Sequence, residues 1–241
     1  IMNEMSVLLF LSFHDMGQKI LLDNPDLVAK ITQNELNRVI IQGPKNILIN
    51  GDTKIDEMSV LHFLSSFDIG RKILLNNPDL VAKITQEELN RTITQGPNKN
   101  YSVLYNLVAP EIGRSILIAN PSLVAKITQS GLNNLMNDGD LEGDSPLFYL
   151  TGSESGRMLL HQTPGLVEKI TEEGLNSTIA NGPTQGHSAL LHLSSTVPGQ
   201  QLLSEHPELV AKISEIGLNS VIKGGMMNEM SVIHFLSFSN I

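Results

Sequence analysis

A chain of 241 residues, 41% of them hydrophobic and 17% charged, can bury a sizeable core, which excludes a disordered polymer and predicts one large domain or two small ones. The formal net charge of −9 removes the attraction that dominates nucleic-acid binding and disfavours anionic membrane surfaces, so basic or neutral partners fit better. Cysteine is absent, which excludes disulfide frameworks, Cys-ligated zinc and thiol catalysis.

The chain opens on "IMNEMSVLLFLSF" (1–13), and its hexapeptide "MNEMSV" returns at 227–232. Between them "NPDLVAKIT" (24–32) recurs at 77–85, then as "NPSLVAKIT" (120–128), "TPGLVEKIT" (163–171) and "HPELVAKIS" (206–214). Pro25, Pro78, Pro121, Pro164 and Pro207 are spaced 53, 43, 43 and 43. Ser6, Ser59, Ser102, Ser145, Ser188 and Ser231 keep the same spacings, giving units 1–58, 59–101, 102–144, 145–187 and 188–230 and a partial unit 231–241 in a single repeat domain.

Within a unit the first predicted helix is "SVLHFLSS" (59–66), with Leu61 and Leu64 on one face; Ser145-Pro146 supplies a cap and a proline at the first helical position. The second is "DIGRKILLNN" (68–77), opened by an acidic cap and ended by the proline that restricts the residue before it. Gly17, Gly70, Gly113, Gly156 and Gly199 share one register there, either to let the first two helices approach closely or merely to begin the helix. Asp68/Arg71, Glu111/Arg114 and Glu154/Arg157 stand three apart on the same helix, a spacing that suits surface ion pairs.

The third helix is "PDLVAKI" (78–84), with Asn77 as cap and Pro78 in the first turn. The apolar stripe of Leu80, Val81 and Ile84 does not line up with that of Leu89 and Ile93 on one straight helix, so a break falls at Thr85 and a fourth helix follows. Thr32/Glu35 and Thr85/Glu88 have capping-box spacing, whereas later units place Gly at the acidic position. Gly43, Gly96, Gly139, Gly182 and Gly225 read as left-handed C-terminal stops. The expectation is an all-α chain: a right-handed α-solenoid of about five 43-residue units, each of three to four short helices, stacked because no unit can bury its apolar faces alone.

This period resembles that of armadillo and HEAT repeats, built from two or three helices per unit. The stretch "SVLHFLSSFDIGRKILL" (59–75) is also similar to the front of an ankyrin repeat, through Ser59, Leu61, His62, Gly70 and Leu74-Leu75, and "SPLF" (145–148) through its Ser-Pro-Leu. The unit is about ten residues longer than an ankyrin repeat, lacks the Gly-Ala-Asp hairpin signature, and does not carry the armadillo motif. What these resemblances imply is a scaffold that binds a protein or peptide.

Two polar columns are the candidate partner-binding residues. Asn37, Asn90, Asn133, Asn176 and Asn219 each follow a leucine; they form either a ladder bonded to the backbone of the next helix or, as in armadillo repeats, a clamp on an extended peptide. The ladder is the stronger reading. Lys30, Lys83, Lys126, Lys169 and Lys212 form either a basic stripe for an acidic or phosphorylated partner or a row of helix ends, where lysine offsets the partial negative charge. The helix-end reading is preferred. The binding surface expected from the columns is the groove along one edge of the third and fourth helices.

Catalytic chemistry finds no foothold. His14, His62, His161, His187, His192, His206 and His234 form neither His-x-x-x-His nor His-Glu-x-x-His. Nucleophile elbow, phosphate-cradling loop and paired-Gly dinucleotide fingerprint are also missing, so no catalytic residue, metal or cofactor is predicted and the chain reads as non-enzymatic. An enzyme fragment whose catalytic residues lie elsewhere is the weaker alternative. Apolar runs such as "VLLFL" (7–11) are too short to span a bilayer and no basic segment precedes them, which predicts a soluble chain contacting neither membrane nor nucleic acid. The sequons at Asn90, Asn100 and Asn176 would matter only in a secretory compartment.

Two irregular places remain. The first unit carries ten extra residues within "GPKNILINGDTKIDEM" (43–58), and "NILINGDTK" is either a contact element or a tolerated insertion. Ile at position 1 suggests a piece of something longer, and neither end has the polar character of a capping repeat. Both end faces are therefore expected to be sticky, meeting further repeats or another copy, and a self-associating structural spacer is the alternative function.

Overall fold

Caps and stops cut the sequence into many short helices. The computed structural model describes residues 8, 11–12, 14–40, 58–93, 99–137, 142–223 and 229–238, and among these lie twenty helices of four to nine residues. The first sequence repeat supplies α1 (Asp15–Asp23), α2 (Pro25–Ala29), α3 (Gln33–Leu36) and β1 (Val39–Ile40). β2 (Met58–Ser59) leads into α4 (Val60–Ser66), α5 (Asp68–Asn76), α6 (Pro78–Ala82) and α7 (Gln86–Asn90). The third repeat holds α8 (Val103–Val108), α9 (Glu111–Ala119), α10 (Pro121–Ala125) and α11 (Gln129–Leu132). The fourth holds α12 (Pro146–Gly152), α13 (Glu154–Gln162), α14 (Pro164–Val167) and α15 (Glu172–Asn176). Then come α16 (Ala189–Ser194), α17 (Val197–Glu205), α18 (Pro207–Val210), α19 (Glu215–Asn219) and α20 (Val232–Phe238). Strand is confined to the antiparallel β1/β2 pair and to bridges of Thr92 with Ser102, Thr178 with Ser188 and Val221 with Ser231, so the chain is all-α in class.

The hydroxyls of Ser59, Ser102, Ser145 and Ser188 accept the backbone N–H three residues on and so open α4, α8, α12 and α16. Thr32, Thr85, Thr128, Thr171 and Ser214 do the same for α3, α7, α11, α15 and α19, and the break expected at Thr85 falls between α6 and α7. The capping box closes at Thr32, where Glu35 accepts the Thr32 N–H at 3.0 Å. At Thr85 it closes only by half: Glu88 receives no bond from the Thr85 N–H because its carboxylate is drawn to His62 and Arg91.

Three other local expectations need correction. Asn77 precedes α6, but its amide donates backward to the Ile73 carbonyl at 2.7 Å, closing the end of α5 and leaving the start of α6 to the pre-set proline. Phe67, not Asp68, is the cap of α5; Asp68 lies in the first turn, 2.6 Å from Arg71. Gly182 does have a left-handed φ of 82°, yet α15 already ends at Asn176, where the chain turns extended at Ser177 and runs into a hairpin arm. Gly43, Gly96, Gly139 and Gly225 lie outside the described residues, as do "NILINGDTK" and most of residues 1–13.

The glycine register of the second helices marks a close approach. A Cβ on Gly17, Gly70, Gly113, Gly156 or Gly199 would lie 2.1–2.3 Å from the carbonyl oxygen of Leu11, Leu64, Leu107, Leu150 or Leu193. The next residue exploits that proximity. Gln18, Arg71, Arg114, Arg157 and Gln200 donate to the carbonyls of Ser12, Ser65, Val108, Thr151 and Ser194 at 2.5–2.8 Å, satisfying acceptors that the end of the first helix leaves open. Arg71 and Arg114 also pair with Asp68 and Glu111, whereas Arg157 and Glu154 form no such bridge.

The chain divides into two compact units, Ile1–Ile127 and Thr128–Ile241. In the first, α1, α5 and α9 pack in succession, α4 packs on α8, and α2, α6 and α10 touch in turn. Leu21, Leu64, Leu74, Leu104 and Leu117 are fully buried between them. In the second, α12, α16 and α20 pack in succession, α13 lies against α17 and α15 against α19, over a core that includes Leu150, Leu160, Leu190 and Leu202.

Candidate functional site

The lysine and asparagine columns meet in one polar ladder. Lys83 donates from Nζ to the carbonyls of Ile31 (2.6 Å) and Ala29 (3.3 Å), and Lys126 to those of Ile84 (2.5 Å) and Ala82 (3.2 Å). Lys212 reaches Ile170 at 2.6 Å. Each ammonium thus sits at the C-terminal end of the preceding repeat's third helix, where the partial negative charge is that of a neighbour and not of its own helix. In the other direction Asn37 donates to the Lys83 carbonyl (3.3 Å), Asn90 to that of Lys126, Asn133 to that of Lys169 and Asn176 to that of Lys212, the last three at 2.8 Å. The same amides donate to carbonyls four residues back, and those of Asn133 and Asn176 accept the N–H groups of Thr171 and Ser214. The Lys83 to Ile31 bond spans ten residues more than the Lys126 to Ile84 bond, so the insertion leaves the ladder's register unchanged.

Lys30 and Asn219 stand apart. Lys30 is exposed with no such bond, and the Asn219 amide donates only to the Glu215 carbonyl at 2.9 Å.

The largest concavity is an open groove of about 1040 Å³ in the second compact unit, between α15, α19 and the arm at 177–186. The arm is held by Ala180 N donating to the Glu142 carbonyl (2.9 Å), and the following arm by Lys223 N donating to Gln185 (3.2 Å). Gly186 has a φ of 83°, and a Cβ there would meet the Val221 carbonyl at 2.3 Å, so only glycine lets the two arms lie this close. Glu172, Glu173 and Glu215 line the groove against a single ammonium, Lys223, and Ile216 stands 82% exposed in its wall. Asn176 and Asn219 line it too, but the Asn176 amide is fully bonded within the protein. The column lysines do not line it; the groove therefore shares the asparagine half of the expected surface.

Two buried titratable clusters were not legible in the repeat pattern. His62 is fully buried, with Nδ1 2.9 Å from Ser59 Oγ and 3.2 Å from Glu88 Oε1, while Arg91 grips Glu88 at 3.0 Å. Burial pushes the Glu88 carboxyl up, but hydrogen bonds from His62, Arg91 and Ser59 outweigh it and hold the group at about 2. A proton relay needs hydroxyl and carboxylate on opposite ring nitrogens, whereas here both lie at Nδ1 and Nε2 is buried without a partner among the described residues. In the second unit His192 lies against Phe148 and His187, its Nδ1 3.3 Å from the Phe148 carbonyl. Burial, then the neighbouring His187, lower its pKa to about 4, and burial lowers that of His187 as well.

Among the described residues no group of three or more His, Asp or Glu could hold a metal ion, and no helix is long and apolar enough to cross a membrane. Compared with known proteins, the chain matches no family model, no curated protein and no solved structure.

Proposed function

We propose that this chain is an α-solenoid of about five 43-residue repeats that serves as a non-enzymatic scaffold for a protein or peptide. Support for the repeat comes from matched backbone angles: the residue before the third helix has φ −129°, −131°, −131°, −133° and −123° with ψ 74–76° at Asn24, Asn77, Asn120, Thr163 and His206. Bridges at Thr92/Ser102, Thr178/Ser188 and Val221/Ser231 fall 86 and 43 residues apart, in step with the period.

The observation that carries the binding reading is the acidic groove between α15 and α19. Three carboxylates beside the exposed Ile216 favour a basic, partly apolar segment, in keeping with the net charge of −9. Fluorescence anisotropy with labelled Lys/Arg-rich and Glu-rich peptides carrying one aliphatic anchor tests this. The basic peptide should bind, more weakly as salt rises, and the triple variant Glu172→Gln, Glu173→Gln, Glu215→Gln should lose about tenfold or more in affinity. Equal affinity of the parent and the triple variant would overturn the groove as the site.

A further inference from the structure

The ladder is open at two places, and the two open faces match each other. At the third helix the leucine of the first repeat is exposed while its four counterparts are covered: Leu27 is 39% exposed against 2%, 1%, 1% and 0% for Leu80, Leu123, Leu166 and Leu209. The neighbouring valine shows the reverse, with Val210 50% exposed against 0%, 1%, 2% and 0% for Val28, Val81, Val124 and Val167. Polar groups follow the same division. Lys30 lacks the carbonyls that Lys83, Lys126 and Lys212 find, and the carbonyl of Ile213 accepts no bond among the described residues, although its counterparts Ile31, Ile84 and Ile170 each accept a lysine.

We infer that the α18/α19 face of one molecule docks on the α1/α2 face of a second copy of this chain. The residues on the two faces are of the types that meet at the junctions inside each compact unit. Val210 would cover Leu27, Lys30 would donate to the Ile213 carbonyl of the other copy, and Asn219 would donate to its Lys30 carbonyl. The lysine would bring a cation to the C-terminal end of α18, as Lys83 does for α2. Ile20, 47% exposed where Ile73 and Ile116 are fully buried, extends the apolar patch. The two faces are different, so the contact is head-to-tail and each docked copy leaves one face of each kind free. This inference rests on the repeat reading and is independent of the groove.

Sedimentation velocity on the 241-residue chain and on two variants tests it. The parent chain should show a weight-average mass that rises with concentration, about twofold or more, and passes the dimer. Leu27→Lys and Val210→Lys change exposed positions and should each stay monomeric, but a mixture of the two retains one good face of each kind and should form a dimer and stop there. A parent chain that stays monomeric, or variants that assemble as it does, would overturn the inference. Anisotropy with the basic peptide on Val210→Lys separates the outcomes, because groove binding should survive the loss of assembly.

Discussion

The helices α4 and α20 are spelled almost identically, "SVLHFLSS" with its serine cap at 59 and "SVIHFLSF" from 231, yet they live in different surroundings. Their caps are alike: Ser59 Oγ lies 2.9 Å from His62 Nδ1, and Ser231 Oγ lies 2.8 Å from His234 Nδ1. Their burial is not. Leu61 is fully buried where Ile233 is 51% exposed, and His62 is fully buried where His234 is exposed. α4 packs chiefly on α5 and α8, which follow it in the chain, whereas α20 packs on α16 and α19, which precede it. The difference teaches that eight residues determine a helix and its cap, while neighbouring elements determine whether its leucine is core and its histidine is locked to a carboxylate.

The sharpest way to break this comparison is to truncate the matching aliphatic residues. Leu61→Ala should destabilise by ~2–5 kcal/mol, because a fully buried leucine leaves both a transfer loss and a cavity. Ile233→Ala should cost about 1 kcal/mol or less, since half of the side chain already meets water. Urea unfolding of the two variants measures both, and equal losses would mean that context does not separate the two helices.

A smaller effect comes from the carboxylate that α4 acquires. Glu88 is held at about 2 in the folded chain, below the ordinary value of about 4.3 that it takes when unfolded. Its contribution is therefore present in full above the unfolded value and is lost as pH falls from about 4.3 toward 2. Glu88→Gln should cost ~2 kcal/mol at neutral pH, by leaving His62 and Arg91 without their acceptor, and should flatten the acid limb of stability over that window. An unchanged acid limb in the variant would place the acid sensitivity elsewhere.

The same division explains what could be read from the sequence. Helix class, the serine and threonine caps, the break at Thr85 and the close approach at Gly70 depend on residues a few positions apart, and spacing alone reveals them. The bond from Arg71 to the Ser65 carbonyl was hidden because Asp68, three residues away, offered a plainer partner; the pairing of Gly with Arg or Gln at every second helix was the available signal. The Lys83 to Ile31 contact joins residues 52 apart, and a column of lysines does not say whose helix end each will cover. The link from His62 to Glu88 had no signal at all, since the other repeats replace one partner or both. The groove depends on how α15, α19 and the arm between them are set, which periodicity does not encode.

The smallest expected effect tests the half of the comparison that should not change. If capping is a property of the local words alone, Ser59→Ala and Ser231→Ala should cost similar amounts, about 1 kcal/mol each, because each removes one acceptor from the first turn. Ser59 has one further tie, its hydrogen bond to Glu88, which the open helix lacks. The excess cost of Ser59→Ala over Ser231→Ala then measures that tie, and the excess should vanish when both are made in the Glu88→Gln background, as a double-mutant cycle. A persistent excess would show that burial strengthens the cap itself, and the separation of local from contextual terms would fail at its simplest point.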